Sequence, residues 1–221
     1  MRTDVREVFA VAAAAYDRGN PLLAVEREAT QAILPPLAGR DVLDLGAGRG
    51  HYGALARASS ASFVVSLDLT GEMLAAAPRP ALVGDAGRLP FPAARFDVVI
   101  AALLVSYLTD PARGLREAAR VLRPGGALVV SDLHPVAASR GWRRSFATRD
   151  GGQVEVQAPP LSLADLRRFL DEAGLRVQAW QEPAIGPALE PHFQRAGRRD
   201  FAALDGTPLL VVLRAVKEEG S

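Results

Sequence analysis

The chain has 221 residues and a formal net charge of +1, with 49% hydrophobic and 23% charged residues. This composition is typical of one larger globular domain and gives no general attraction to nucleic acid or to an anionic membrane. The absence of cysteine excludes disulfides, thiolate metal sites and a cysteine nucleophile. The three histidines are not at metal-ligand spacing, which disfavours a histidine-rich metal site.

Two helices are predicted before the first strand. Residues 4–16 have a helical pattern, and Asn20 with Pro21 offers a cap and a first helical position for a second helix over about 21–34. The apolar run at 8–15 is shorter than a membrane span and follows acidic residues, where a secretory leader would be basic. We therefore expect a cytoplasmic protein without a membrane partner.

Short apolar strands alternate with helical stretches from Asp41 onward. The predicted strands are 42–45, 63–68, 81–85, 96–102, 127–132, 175–180 and 208–216. The predicted helices between them are 51–58, 70–77, 110–122 and 162–173, with a turn at 124–126. Continuous apolar strands indicate a sheet covered on both faces, and their alternation with helices predicts a doubly wound, Rossmann-like α/β fold.

Two stretches lack this regularity. Residues 133–160 are rich in Gly, Arg and Pro and carry Trp142 and Phe146, and residues 183–206 form a proline-rich connection. Between them, Ser162 followed three residues later by Asp165 predicts a capped helix start.

The glycines at positions 46, 48 and 50 predict a tight turn between the first strand and the first helix. A dinucleotide-binding turn would require glycine where His51 stands, and a triphosphate loop would require Lys and Ser/Thr after Gly50. Asp44 places a negative charge two residues before the turn, which suits a cationic ligand group and opposes a pyrophosphate. We therefore expect a nucleoside that carries positive charge.

Acidic residues also end the next two strands. Asp68 at the tip of the second strand can accept both hydrogens of a ribose diol. After the third strand, Asp85 can accept from an exocyclic amine while the Ala86 N–H donates to a ring nitrogen. This pair predicts recognition of an adenine edge.

Four motifs and Asp68 carry a family resemblance. The motifs are VLDLGAGRG (42–50), VGDAGRLPF (83–91), FDVVIAALLVSYL (96–108) and RVLRPGGALVVSD (120–132). In this order they resemble the class I S-adenosylmethionine-dependent methyltransferases, and most closely the small-molecule group called type 11. The resemblance is strong over about 40–132 and general elsewhere. It implies a seven-stranded, mostly parallel sheet with an antiparallel last strand, S-adenosylmethionine as cofactor, S-adenosylhomocysteine as product, and no metal.

The resemblance also implies a set of cofactor-binding residues. They are Tyr16, Asp44, Gly46, Ala47, Gly48, Gly50, Asp68, Leu69, Asp85, Ala86 and Ala101. Asp44 would face the amino group, Asp68 the ribose, and the Ala101 carbonyl the methionine amine. Structural alternatives stay open for several of them: Asp44 as a cap of the turn, Tyr16 as a core residue and Asp85 as a solvated turn residue.

His134 is the candidate general base, since it follows the fifth strand by two residues and ligands bind at the carboxyl ends of parallel strands. A surface histidine is the alternative. We expect Ala101, Tyr107 and His134 to converge under a mobile cover formed by the N-terminal helices and residues 133–160, with Trp142 and Phe146 against a flat acceptor. Weaker candidates are His51, Arg140, Arg143, Arg144, Glu190 and His192.

The sequence predicts one domain. Its parts are an N-terminal helical cover (1–39), a cofactor-binding half (40–132), an acceptor-side insertion with a helix (133–206), and a last strand with a tail (207–221). The predicted function is methyl transfer to a small organic acceptor on oxygen, nitrogen or carbon. The alternatives are a methyltransferase for RNA or protein, which the neutral charge and single lysine disfavour, and a non-catalytic cofactor-binding domain.

Overall fold

Seven strands form one sheet in the computed structural model, which describes residues 4–17, 21–142, 145–148, 152–156, 161–195, 197 and 199–218. The strands of the chain are β1 (Asp41–Leu45), β2 (Phe63–Asp68), β3 (Ala81–Val83), β4 (Phe96–Ala102), β5 (Leu122–Leu133), β6 (Ser145–Ala147), β7 (Gln153–Glu155), β8 (Leu175–Gln181) and β9 (Leu210–Lys217). The main sheet has the order β3-β2-β1-β4-β5-β9-β8, and β9 is antiparallel to both of its neighbours. The predicted fold class is confirmed.

Helices cover both faces of this sheet. They are α1 (Val5–Ala12), α2 (Pro21–Ile33), α3 (His51–Ala58), α4 (Pro111–Val121), α5 (Pro135–Ser139), α6 (Leu163–Glu172), α7 (Glu190–Arg195) and α8 (Phe201–Leu204). Apolar side chains of α4 and α6 pack on one face, whereas those of α2 and α3 pack on the other. Within the described residues, no helix is long and apolar enough to cross a membrane.

Side-chain caps fix the starts of two helices. The Asp110 carboxylate accepts from the Arg113 N–H at 2.9 Å, and Pro111 occupies the first helical position of α4. Ser162 accepts from the Asp165 N–H at 3.0 Å, which confirms the predicted start of α6. Both caps are local, so the sequence alone was sufficient to predict them.

Several predicted boundaries differ from the structure. The helix predicted over 4–16 ends at Ala12, and the helix predicted from Thr70 is only a 3-10 turn, Met73–Ala76. The predicted turn at 124–126 lies inside β5, where pairing with β4 shifts from Phe96–Leu122 to Val98–Ala127. The proposed Asn20 cap lies outside the described residues.

The hairpin of β6 and β7 and the short helices α5, α7 and α8 were not predicted. These elements are three to six residues long, too short for hydrophobic periodicity to reveal them.

Candidate active site

A cleft with about 670 Å³ of space, part of it open to solvent, lies at the carboxyl ends of β1 to β4 and beneath α1. This is the edge at which parallel sheets of this type bind ligands. Seven of the predicted cofactor residues line the cleft: Tyr16, Gly46, Gly48, Asp68, Leu69, Asp85 and Ala86. The other four, Asp44, Ala47, Gly50 and Ala101, do not.

The glycine turn, residues 46–50, forms one wall of the cleft. Its three glycines have φ values of +66°, +54° and +84°, which L side chains rarely adopt. A Cβ on Gly46 would lie 2.8 Å from Leu104 Cδ1, and one on Gly50 would lie 2.7 Å from Ala77 Cα. Gly50 is therefore required for packing against the Ala77 backbone and Gly46 for packing against the Leu104 side chain, while Gly46 and Gly48 also line the cleft.

Asp68 ties the glycine turn to the end of β2. Its Oδ2 accepts from the Gly48 N–H at 2.8 Å, and its Oδ1 accepts from Thr70 N at 2.9 Å and Thr70 Oγ1 at 2.8 Å. A carboxylate offers about four lone-pair positions, so Asp68 retains capacity for a ligand donor. Asp85, the next carboxylate along the cleft, accepts from the Gly87 N–H at 2.8 Å.

Asp44 lies behind the turn rather than in the cleft. Its side chain is 2% exposed, and Oδ2 accepts from the Gly53 N–H at 2.8 Å. Because Gly50 precedes α3 without a capping side chain, Asp44 satisfies this N-terminal donor from β1. Burial raises the pKa of Asp44 to about 7; the Gly53 N–H opposes this rise, and the nearby Asp68 charge adds to it. Its predicted contact with a ligand amino group stays a prediction.

Hydrogen bonds from two arginines, Arg6 and Arg49, hold α1 and the residues that follow it over the cleft. The Arg6 guanidinium donates to the Leu69 carbonyl from Nε at 3.3 Å and from Nη2 at 3.2 Å. Arg49, inside the glycine turn, donates to the Ala13 carbonyl at 2.8 Å and pairs with Asp17 at 2.9 Å. Neither contact could be predicted from sequence pattern, because the partners are distant along the chain.

Four rings form an aromatic cluster at one end of the cleft: Phe9, Tyr16, Tyr107 and Phe146. Phe9 meets Tyr107 edge-on with 5.0 Å between ring centroids, and Tyr16 stacks on Phe146 at 5.2 Å. All but Phe146 line the cleft. The cluster joins α1 to β6, which are parts of the two regions expected to form the cover. The Trp142 ring instead packs on Phe193, with 5.8 Å between ring centroids, and Trp142 does not line the cleft.

The expected convergence of Ala101, Tyr107 and His134 is not found, because only Tyr107 lines the cleft. His134 is 3% exposed and caps α5, with Nδ1 accepting from the Val136 N–H at 3.1 Å. Its Nε2 lies 3.4 Å from the Glu182 carboxylate. The cap directs the imidazole into the protein, so the structure corrects the placement. The role as a base stays a prediction that this position disfavours.

The weaker candidates also lie outside the cleft lining: His51, Arg140, Glu190 and His192. Burial, followed by the charge of Arg27, lowers the pKa of His51. Arg140 donates to Thr207 Oγ1 at 3.0 Å, which gives it a structural role. Arg143 and Arg144 lie outside the described residues.

No group of three metal-ligating side chains occurs in the part of the chain that the structure describes.

Known proteins are similar to this chain in sequence and in fold. The sequence model of the family described as methyltransferase domain matches residues 43–130. The chain is 37% identical over 225 residues to a demethylmenaquinone methyltransferase of Mycolicibacterium vanbaalenii, covering 96% of this chain and 93% of that one. It is 33% identical over 170 residues to a malonyl-[acyl-carrier protein] O-methyltransferase of Pectobacterium atrosepticum, covering 73% and 65%.

A solved structure is similar in fold. It is an S-adenosylmethionine-dependent methyltransferase from Mesorhizobium loti, with a TM-score of 0.67 and 23% identity, covering 87% of this chain and 97% of that chain. At this identity the likeness supports the fold alone.

Proposed function

Because the chain belongs to the class I S-adenosylmethionine-dependent methyltransferases of the type 11 group, we propose that it methylates a small, flat and apolar organic acceptor. Its cofactor is S-adenosylmethionine, and its enzyme class is methyltransferase. The aromatic cluster beside the glycine turn is the observation that carries the choice of acceptor.

The donor end of the cleft fits the cofactor. Gly46 and Gly48 line it without side chains, Asp68 keeps accepting capacity for one ribose hydroxyl, and Asp85 offers a carboxylate beside the Ala86 N–H. We propose that these groups hold the nucleoside. When bound, S-adenosylmethionine would supply a methyl group carried on a sulfonium sulfur. After the transfer this sulfur is a neutral thioether. The chain's own contribution is to orient the two reactants and to exclude water.

The acceptor end of the cleft is apolar. The charged residues among the described lining are Arg6, Asp68 and Asp85. The Arg6 guanidinium is bonded to a backbone carbonyl, and the two carboxylates belong to the donor end. Phe9, Tyr107 and Leu108 therefore offer an acceptor mainly ring faces and aliphatic surface. Such a surface favours a flat organic molecule over a charged carboxylate.

A methyl-transfer assay with methyl-labelled S-adenosylmethionine tests this choice. The acceptors are uncharged aromatic hydroxyl compounds and demethylmenaquinone on one side, and malonyl-acyl carrier protein on the other. We expect label in the first group only. Label only in the malonyl thioester would contradict a flat, apolar acceptor while leaving methyltransferase activity intact.

A pair of variants locates the acceptor. Phe9→Leu removes a ring that lines the cleft but keeps its apolar character, and we expect the acceptor KM to rise about tenfold. Phe201→Leu removes a ring that packs on Phe193 at 5.4 Å, outside the cleft lining, and should leave KM unchanged. An equal response of both variants would place the acceptor elsewhere. The cytoplasmic location and the independence from nucleic acid and membrane stay predictions.

A further inference from the structure

Glu26 is a carboxylate buried between α2 and the sheet, with 2% of its surface exposed. Its Oε1 accepts from the hydroxyls of Thr30 at 2.8 Å, Tyr52 at 2.8 Å and Ser131 at 2.7 Å. The Tyr52 hydroxyl also lies 2.9 Å from Oε2. A buried carboxylate is costly unless it is fully hydrogen-bonded, so these donors and Glu26 hold one another in fixed positions. None of the four lines the cleft.

Ser131 extends this network to the neighbouring strand. Its hydroxyl donates to Glu26 and accepts from the Leu103 N–H at 3.1 Å. The same N–H donates to the Ser131 carbonyl at 2.8 Å. The Leu103 amide is therefore held by two acceptors of one residue, and the side-chain acceptor is itself oriented by a buried carboxylate.

Leu103 has a backbone conformation that requires such support. Its φ is +51°, in the left-handed region that residues with a Cβ rarely adopt. It directly follows β4 and lines the cleft. Strain of this kind persists only where the surrounding structure holds it, and it concentrates at functional sites.

The turn at Leu103 positions both ends of the cleft. It brings Leu104 against the glycine turn, with Cδ1 2.8 Å from the point where a Cβ of Gly46 would lie. It also starts the 3-10 turn Val105–Tyr107, through which Tyr107 meets Phe9 in the aromatic cluster. A change in the backbone at Leu103 would move the acceptor wall relative to the donor site.

We propose that Glu26, acting through Ser131, is a positioning residue for methyl transfer: it holds the strained turn at Leu103 and thereby fixes Tyr107 relative to the donor. The functional part of this proposal rests on the proposed methyl transfer to an acceptor beside the aromatic cluster. The network itself is independent of the acceptor's identity.

Two variants of buried hydroxyl residues separate positioning from stability. Ser131→Ala removes the hydroxyl that joins Glu26 to Leu103. Thr30→Val removes an equally buried hydroxyl that also donates to Glu26 but has no bond to Leu103. We expect Ser131→Ala to lower the single-turnover rate about tenfold, with affinity for S-adenosylhomocysteine changed less than about threefold. Thr30→Val should keep the rate within about twofold, although both variants lower the unfolding midpoint.

Amide hydrogen exchange at Leu103, followed by NMR, gives a readout that does not depend on activity. We expect exchange about tenfold faster in Ser131→Ala and unchanged in Thr30→Val, with Ser131→Thr restoring both exchange and rate. Glu26→Gln should also show faster exchange at the same amide, and it replaces Ser131→Ala as the test if Ser131→Ala does not fold. Equal rates and equal Leu103 exchange in Ser131→Ala and Thr30→Val would overturn the proposal. If the wild-type protein methylates none of the acceptors, the proposed function fails, whereas unchanged exchange specifically refutes the network.

Discussion

Asp44→Asn should change how stability depends on pH. Asp44 is buried, and its carboxylate accepts from the Gly53 N–H at the start of α3. Asparagine has nearly the same shape, and its amide oxygen can accept from the same donor. The substitution therefore removes the ionisation of residue 44 while it keeps the cap of the helix.

The magnitude follows from the pKa of Asp44, which burial raises from an ordinary value of 3.8 to about 7. A shift of about three units corresponds to roughly 4 kcal/mol at about 1.36 kcal/mol per unit. Because the raised pKa means that the native state binds this proton more tightly than the unfolded state, the wild type loses stability as pH rises from about 4 to about 7. Above that range the loss is complete.

Urea unfolding of both proteins at pH 5, 6, 7 and 8 measures this effect. Burial acts to raise the pKa of Asp41, but Arg123 and Arg95 together outweigh it and lower that pKa, and Arg120 lowers the pKa of Glu117. Both carboxylates are present in both proteins, so their contributions cancel in the difference. We compare the free energy of unfolding of Asp44→Asn minus that of the wild type. This difference should increase by up to roughly 3 kcal/mol between pH 5 and 8. A difference that stays constant across this range would show that Asp44 ionises normally and refute the reasoning.

Three other substitutions test the roles assigned to single side chains. Asp68→Ala should weaken S-adenosylhomocysteine binding by at least roughly tenfold in calorimetry, and an unchanged affinity would place the ribose elsewhere. If His134 were a general base, His134→Ala would lower the single-turnover rate by about 10²–10⁴-fold. Because His134 is buried, we instead expect an unchanged rate. The lost helix cap should lower the free energy of unfolding by about 1 kcal/mol. Trp142→Ala should lower the thermal midpoint and leave the acceptor KM unchanged, whereas a raised KM would return Trp142 to the acceptor site.

Local pattern was sufficient for much of the sheet. The predicted bounds of α3 (51–58), β2 (63–68) and β4 (96–102) coincide with the structure, because continuous apolar runs and flanking turn residues are encoded within a few positions. The glycine spacing, which lacks the dinucleotide and triphosphate patterns, agrees with the cofactor of the family. The part of the argument that used the charge of Asp44 stays a prediction, because Asp44 lies outside the cleft lining.

Side-chain directions and distant partners could not be predicted in the same way. The order of elements placed His134 after β5, but whether the imidazole faces the cleft depends on its cap of α5 and on Glu182. Arg6 and Leu69 are 63 residues apart, and Glu26 and Ser131 are 105 residues apart. Hydrophobic periodicity identifies which face of an element is buried, and it carries no information about which polar groups meet there.

Isothermal titration calorimetry of S-adenosylhomocysteine and NAD against the wild type and Gly48→Val tests the central claim, that the cleft beside the glycine turn holds the methyl donor. Gly48 has φ of +54°, and a Cβ there would lie 3.1 Å from Met73 Cε on the cleft wall. We expect S-adenosylhomocysteine to bind the wild type with one-to-one stoichiometry, Gly48→Val to show no measurable binding while it remains folded, and NAD to give no heat with either protein. Tight NAD binding by the wild type, or undiminished S-adenosylhomocysteine affinity in folded Gly48→Val, would contradict the account.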